Sequence, residues 1–220
     1  MTISALSSRS RAAAAGSLGA LAAIAVIAVL IVAGLPSQAR AQDDAATAQG
    51  KAFVVKLGDE AISFLADKSL SPEQRASRFA ELFRDKFAVE SIARFVAGAA
   101  WRAGTEAQQT EYVDLFTNFV VNTYAQRLSQ YSGEKLKVGT ARKIDDSVVV
   151  GSEIVQVTGP ATKVDWRLRE SGGSFKILDV IIEGISMAIT QRSEFASVMR
   201  SGGGGLDSLI AALKRNRFSQ

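Results

Sequence analysis

Few side chains in this sequence could move a proton or hold a metal. The chain has neither cysteine nor histidine. That removes thiol nucleophiles, the Ser-His-Asp and Cys-His arrangements, and nearly all zinc and transition-metal sites. Carboxylates, with Tyr and Lys, are the acid–base chemistry that remains. Asp145-Asp146 lies between two extended runs, where aspartate is favoured for bonding its own backbone, and reads as a turn. Asp179 and Glu183 differ because they interrupt the apolar run Leu178 to Ile185. A carboxylate in an apolar pocket has a raised pKa and can serve as a base, as an isomerase of the cone-shaped α+β type acting on an apolar substrate needs. The competing assignment for Asp179 is an ion pair with Arg167 or Arg169 of a neighbouring strand, and buried acids are usually paired. Gly202 to Gly205 is not a phosphate loop, since no strand leads into it and no Lys-Ser or Lys-Thr follows. It reads as a flexible hinge.

The elements that must position these residues fall in two blocks. Four strands are expected at about 134–143, 147–157, 162–170 and 174–183. Val164, Trp166 and Leu168 alternate with Lys163, Asp165, Arg167 and Arg169, the period of a strand with one wet face. Phe175 to Ile182 is apolar on both parities, which predicts a strand covered on both sides. Asp145-Asp146, Gly159-Pro160 and Ser171-Gly172-Gly173 supply short turns, so neighbouring strands run antiparallel. Before the sheet come helices: from Lys51 to near Lys68, from Ser71-Pro72-Glu73-Gln74, a short one stopping at Gly98, and a long one from Thr105-Glu106-Ala107-Gln108 to about Tyr131. Two of these open on capping boxes, Ser71/Gln74 and Thr105/Gln108. After the sheet, Arg192 to Arg200 and Leu206 to Lys214 read as short helices. The fold class is α+β: N-terminal helices packed on one face of a twisted antiparallel sheet of about four strands, with short C-terminal helices. Aromatic stripes on the helices, among them Phe79, Phe83, Phe87, Phe95, Phe116 and Phe119, are core or the wall of an apolar pocket between the layers.

The amino terminus is a separate matter. Arg9 and Arg11 precede an uncharged stretch, Ala12 to Ala39, and Ala39-Arg40-Ala41 is a small-x-small site. That order is a secretory signal, with cleavage expected after Ala41. The alternative is an uncleaved membrane anchor, because the apolar part is nearly the length of a spanning helix. Residues 1–41 are therefore signal peptide, 42–50 a disordered leader and 51–217 a single domain. The signal carries Arg9, Arg11 and Arg40 and no acid, so the 26 basic and 22 acidic residues of the whole chain become 23 and 22 after it. With a net charge near +1 and no basic run interleaved with aromatics, the pI of 9.5 is no sign of nucleic-acid binding. An exported chain without cysteine has no disulfide, and its 179 remaining residues are ample for a core.

Taken in order, Trp101-Arg102, Glu106-Ala107-Gln108-Gln109, Phe116, Thr123-Tyr124-Ala125, Leu128 and Tyr131-Ser132-Gly133-Glu134 resemble the MlaC, or toluene-tolerance auxiliary, family. So do Val164-Asp165-Trp166-Arg167-Leu168-Arg169, Phe175 to Val180, Glu183-Gly184-Ile185-Ser186 and Gln191 to Phe195. The resemblance covers about residues 50–215. Trp166 and Phe175 stand where the family pattern is expected to carry Tyr and Trp. The resemblance implies a periplasmic phospholipid carrier without catalysis or metal; no cofactor is expected, and monomer is the default oligomeric state. Its partners would be an inner-membrane ABC transporter bearing an MCE-domain protein and an outer-membrane lipoprotein–porin complex, and its role would be to keep the outer-membrane lipids asymmetric. Acyl chains would lie in a pocket between sheet and helices. The walls expected here are Phe83, Phe87, Phe95, Phe116, Phe119, Val120, Val149, Val155, Trp166, Leu168, Ile177, Val180, Ile182 and Ile185.

Overall fold

The computed structural model describes residues 35–128 and 130–215. Contacts divide the chain into Met1–Asp43 and Asp44–Gln220. The described part of the first unit is helical backbone, and Ala39-Arg40-Ala41 falls within it. Residues 12–34 of the apolar stretch read as signal or anchor lie outside the described residues. The second unit holds the sheet and the helices packed on it.

The first helix, α1, spans Leu35–Leu65. The expected disordered leader, 42–50, is therefore corrected to helix. Its alanines are the best helix formers, and small residues let the helix lie close on the sheet. Gly50 is buried, and a Cβ there would sit 2.8 Å from Val148 Cγ1. Helix α2 (Pro72–Lys86) opens on the expected capping box of Ser71 and Gln74. Helix α3 (Val89–Ala97) stops at Gly98, and the single turn α4 (Ala99–Ala103) was not expected. Helix α5 (Glu106–Leu128) is opened by Thr105 and Gln108, whose backbone N–H groups each donate to the other's side chain, at 2.8 and 3.3 Å.

The sheet has five antiparallel strands in sequence order: β1 (Lys135–Ile144), β2 (Ser147–Val155), β3 (Thr162–Ser171), β4 (Ser174–Ile182) and the two-residue β5 (Ile185–Ser186). Four match the expected runs. The fifth exists because Glu183 (φ 48°) and Gly184 (φ 81°) make a two-residue turn that folds Ile185 back against Ile182. β4 holds a bulge. Arg167 pairs with Asp179 and Leu168 with Ile177, so Leu178 is an extra residue. Inward positions are Phe175 and Ile177 before it, and Val180 and Ile182 after it. The bulge explains an apolar run on both parities with one covered face, which corrects the expectation of two covered faces. Helix α6 (Met187–Ser201) starts five residues before the expected Arg192, capped by the Ser186 hydroxyl accepting from Ile189 N–H. The glycine run between α6 and α7 (Gly205–Lys214) is an ordered corner, where the Ser208 hydroxyl donates to the carbonyls of Gly202 and Gly204.

Two principal cores result. One joins α1 to the sheet through Val54, Leu57 and Phe64 on the helix and Val148, Val150, Leu168, Phe175 and Ile177 on the strands. The other is helical and joins α3, α5, α6 and α7 around Tyr112, Phe116, Phe195 and Leu209. Helix α2 links the layers, since the N–H of Ala88, just past its end, donates to the Ile177 carbonyl at 2.9 Å.

Candidate lipid-binding pocket

Between the two cores the layers do not meet. They leave a cavity of about 320 Å³, open on one side. Its helical wall is Phe79, Phe83 and Phe87 of α2 with its C-cap, Ile92 and Val96 of α3, and Phe116, Val120, Tyr124 and Leu128 of α5. The last four are one row at i+4 spacing, which is why a single helix can supply them. The sheet wall is Ile154 of β2, Val164 and Trp166 of β3, and Leu178, Asp179, Val180 and Ile182 of β4. Met187, Ala188 and Gln191 of α6 close an end. The Phe83 and Phe87 rings lie 4.7 Å apart between centroids and tilted by 42°, an aromatic side to the cavity.

Of the expected wall residues the structure brings together Phe83, Phe87, Phe116, Val120, Trp166, Val180 and Ile182. The others are placed elsewhere, each for a physical reason. Leu168 and Ile177 point inward but are wholly buried under α1, where the interlayer space is filled. Val149 has the opposite parity and faces outward, buried between its register partners Arg142 and Arg167, whose aliphatic stems can cover it. Val155 shares that outer parity and is exposed. Phe95 is 40% exposed beneath the Arg192 guanidinium, which sits 4.7 Å from its ring centroid. Phe119 is one position off the i+4 row and packs on Phe195 in the helical core. Ile185 lies in the unexpected fifth strand, exposed.

The residues missed had signals of unequal strength. Phe79 and the row Tyr124–Leu128 follow from helical spacing, and Ile154 and Val164 from strand parity. Met187, Ala188 and Gln191 had none, because the start of α6 was placed too late. Nor did Leu178, which depends on the bulge.

Polar groups on the wall are few, and the carboxylates weighed as bases are engaged in structure. Asp179 is half-buried, and its Oδ1 accepts from the Ala188 N–H at 3.0 Å while its Oδ2 accepts from the Ser186 hydroxyl. It thus completes the N-terminal cap of α6, rather than pairing with Arg167 or Arg169. Arg169 pairs instead with Asp146 at 2.9 Å. Glu183 is exposed in the β4–β5 turn and accepts from the Lys163 N–H at 2.6 Å. The buried Tyr112 hydroxyl donates to the Ala93 carbonyl at 3.2 Å, and burial pushes its pKa up. Trp166 Nε1 donates to the Ser152 hydroxyl at 2.9 Å, which donates in turn to the Val164 carbonyl at 2.9 Å.

Fold and cavity define an α+β domain with an apolar interlayer pocket and almost no acid–base chemistry facing it. The family model described as MlaC protein matches residues 56–215. The chain belongs to the MlaC family. It is 22% identical over 126 residues to the intermembrane phospholipid transport system binding protein MlaC of Haemophilus influenzae, covering 55% of this chain and 58% of that one. It is 27% identical over 110 residues to the toluene tolerance protein ttg2D of Pseudomonas putida, covering 50% and 51%. The chain thus spans somewhat more than half the length of these curated relatives. A phospholipid-binding protein of Ralstonia solanacearum, solved in complex with a phospholipid, has the same fold, with a TM-score of 0.66 at 23% identity over 75% of this chain and 94% of that one.

Proposed function

We propose that this chain is a periplasmic phospholipid carrier that holds acyl chains in the interlayer cavity. The observation that carries the reading is the cavity itself, walled by aromatic and aliphatic side chains and flanked by two filled cores. Moving a free phospholipid through water exposes its chains at about 0.8 kcal/mol per CH₂. A pocket of this lining removes that cost by replacing bilayer with protein. The family membership, and relatives named for phospholipid transport and phospholipid binding, support the same reading. Loading and release would part the helices and sheet slightly at the mouth of the cavity. The partners we assign are an outer-membrane lipoprotein–porin complex and an inner-membrane ABC transporter with an MCE-domain protein, between which the chain shuttles as a monomer. Catalysis has no part in this scheme, because Asp179 and Glu183 serve as a helix cap and a turn.

Mass spectrometry of protein purified from the periplasm, native and then denatured, tests the proposal. The expected species begins at Gln42 and carries one phospholipid mass or more. A lipid-free chain with an intact amino terminus would sink the carrier reading. Asp179→Asn is expected to keep its lipid; loss of lipid from a folded variant would return that carboxylate to a working role.

A further inference from the structure

We propose that Trp166, locked in place by Ser152, is the floor of the cavity and limits the length of acyl chain it accepts. This inference rests on the carrier reading above. On β3 the inner row is Val164, Trp166 and Leu168. Val164 lines the cavity, Leu168 is wholly buried in the filled core, and Trp166 between them touches both. Beyond it there is no room. Val150, Leu168 and Ile177 are 0% exposed beneath Val54 of α1. A terminal methyl that reaches the indole can go no further.

The indole is held by a polar relay inside an apolar wall. Ser152 is itself buried, accepts from Trp166 Nε1 at 2.9 Å and donates to the Val164 carbonyl at 2.9 Å. Ser152 is the register partner of Val164, and Trp166 the partner of Val150, so the indole leans diagonally across the sheet. Swinging it aside would leave the indole N–H buried without a partner, which is costly. A buried serine on the inner face of a β-strand, among valines, has no packing advantage; its value here is to fix the ring. Inward positions on a strand lie about 7 Å apart, so removing the indole extends the cavity by several methylenes towards Leu168.

The test uses the full chain and its Trp166→Ala and Ser152→Ala variants. Each is incubated with vesicles of equal parts dimyristoyl and distearoyl phosphatidylglycerol, and the bound lipids are counted by mass spectrometry. Trp166→Ala is expected to shift the bound ratio towards the longer lipid, by about fourfold for each further methylene buried. Ser152→Ala is expected to shift it in the same direction by less, because the ring remains but is free to move. Wild-type ratios in both variants, at undiminished total lipid, overturn the inference. If Trp166→Ala does not fold, Ser152→Ala alone decides it. A wild-type chain that takes neither lipid overturns the carrier reading and this inference with it.

Discussion

The inner face of the sheet is closed at one end and open at the other, though the same three strands supply both. At the closed end Val148, Val150, Leu168 and Ile177 meet α1, whose Gly50 lets the helix backbone come down onto them. At the open end Ile154, Val164, Trp166, Val180 and Ile182 face α2, α3 and α5 across the cavity. Hydrophobicity does not distinguish the two rows. The covering helix does: α1 comes down onto Val148 at Gly50, whereas α2 and α5 face the cavity with Phe79, Phe83, Phe87 and Phe116. A pocket here is a property of helix spacing, and the strands tolerate either outcome. The crossover point is the bulge at Leu178, which keeps β4 facing inward on both sides of it.

Side-chain truncation should separate the two ends most sharply. Leu168→Ala or Ile177→Ala removes a wholly buried side chain from close packing and is expected to cost about 2–5 kcal/mol in urea unfolding. Val180→Ala or Ile182→Ala, measured on lipid-free protein, should cost clearly less, because the removed atoms already border empty space. Equal costs at both ends would mean that the cavity closes in solution.

A charge should discriminate in the opposite sense. Val120 borders the cavity and is only half-buried, so Val120→Asp can be solvated through the open side. We expect a folded protein with at least tenfold less bound lipid, read by native mass spectrometry. Phe116 is a poorer probe although it also lines the cavity, since its ring packs on Tyr112 and Phe195 in the helical core. A charge there should unfold the helices as well. Phe119, away from the cavity, should leave lipid content unchanged when replaced by leucine.

A smaller effect tests why the closed end is closed. In a solvent-facing helix Gly→Ala gains about 1 kcal/mol. At Gly50 the new Cβ would lie 2.8 Å from Val148 Cγ1, a stiff β-branched side chain in the sheet. Gly50→Ala should therefore be destabilising by about 1 kcal/mol net, the overpacking cost exceeding the propensity gain. A stabilised variant would show that α1 can lift from the sheet freely.

Much of this was legible in the residues. Two capping boxes set the starts of α2 and α5, and the alternation of β3 set which face is covered. Half of the residues expected to wall a pocket border the cavity for the same reasons. What stayed hidden depends on contacts distant in sequence. No local pattern distinguishes Leu168, under α1, from Val164, which borders the cavity, since both are inward aliphatics on one strand. Val149 was misplaced because an outward valine between two arginines looks as apolar as an inward one. The leader read as disordered because its polar, alanine-rich composition carries no stripe, although its one glycine comes down onto Val148 of the sheet. The bulge at Leu178 left an apolar run whose true parity only the register of β3 and β4 shows.

Acid should act on the surface before it acts on either end of the sheet. Asp67, Glu73, Asp85, Glu134 and Asp146 are each held below the usual carboxylate range, chiefly by hydrogen bonds: from Ser69, Ser71, Lys86, the Ser132 backbone and Ser147 respectively. A carboxylate depressed in the folded state stabilises above its unfolded pKa, and that contribution is lost as pH falls through the lower, folded value. The window therefore opens near pH 4 and extends downward. Because these groups are exposed, each contribution is small. None of the five lines the cavity. On acidification the urea midpoint should fall gradually, while lipid per folded chain stays constant until unfolding. Lipid released ahead of unfolding would place the acid-sensitive step at the cavity wall and not on these surface carboxylates.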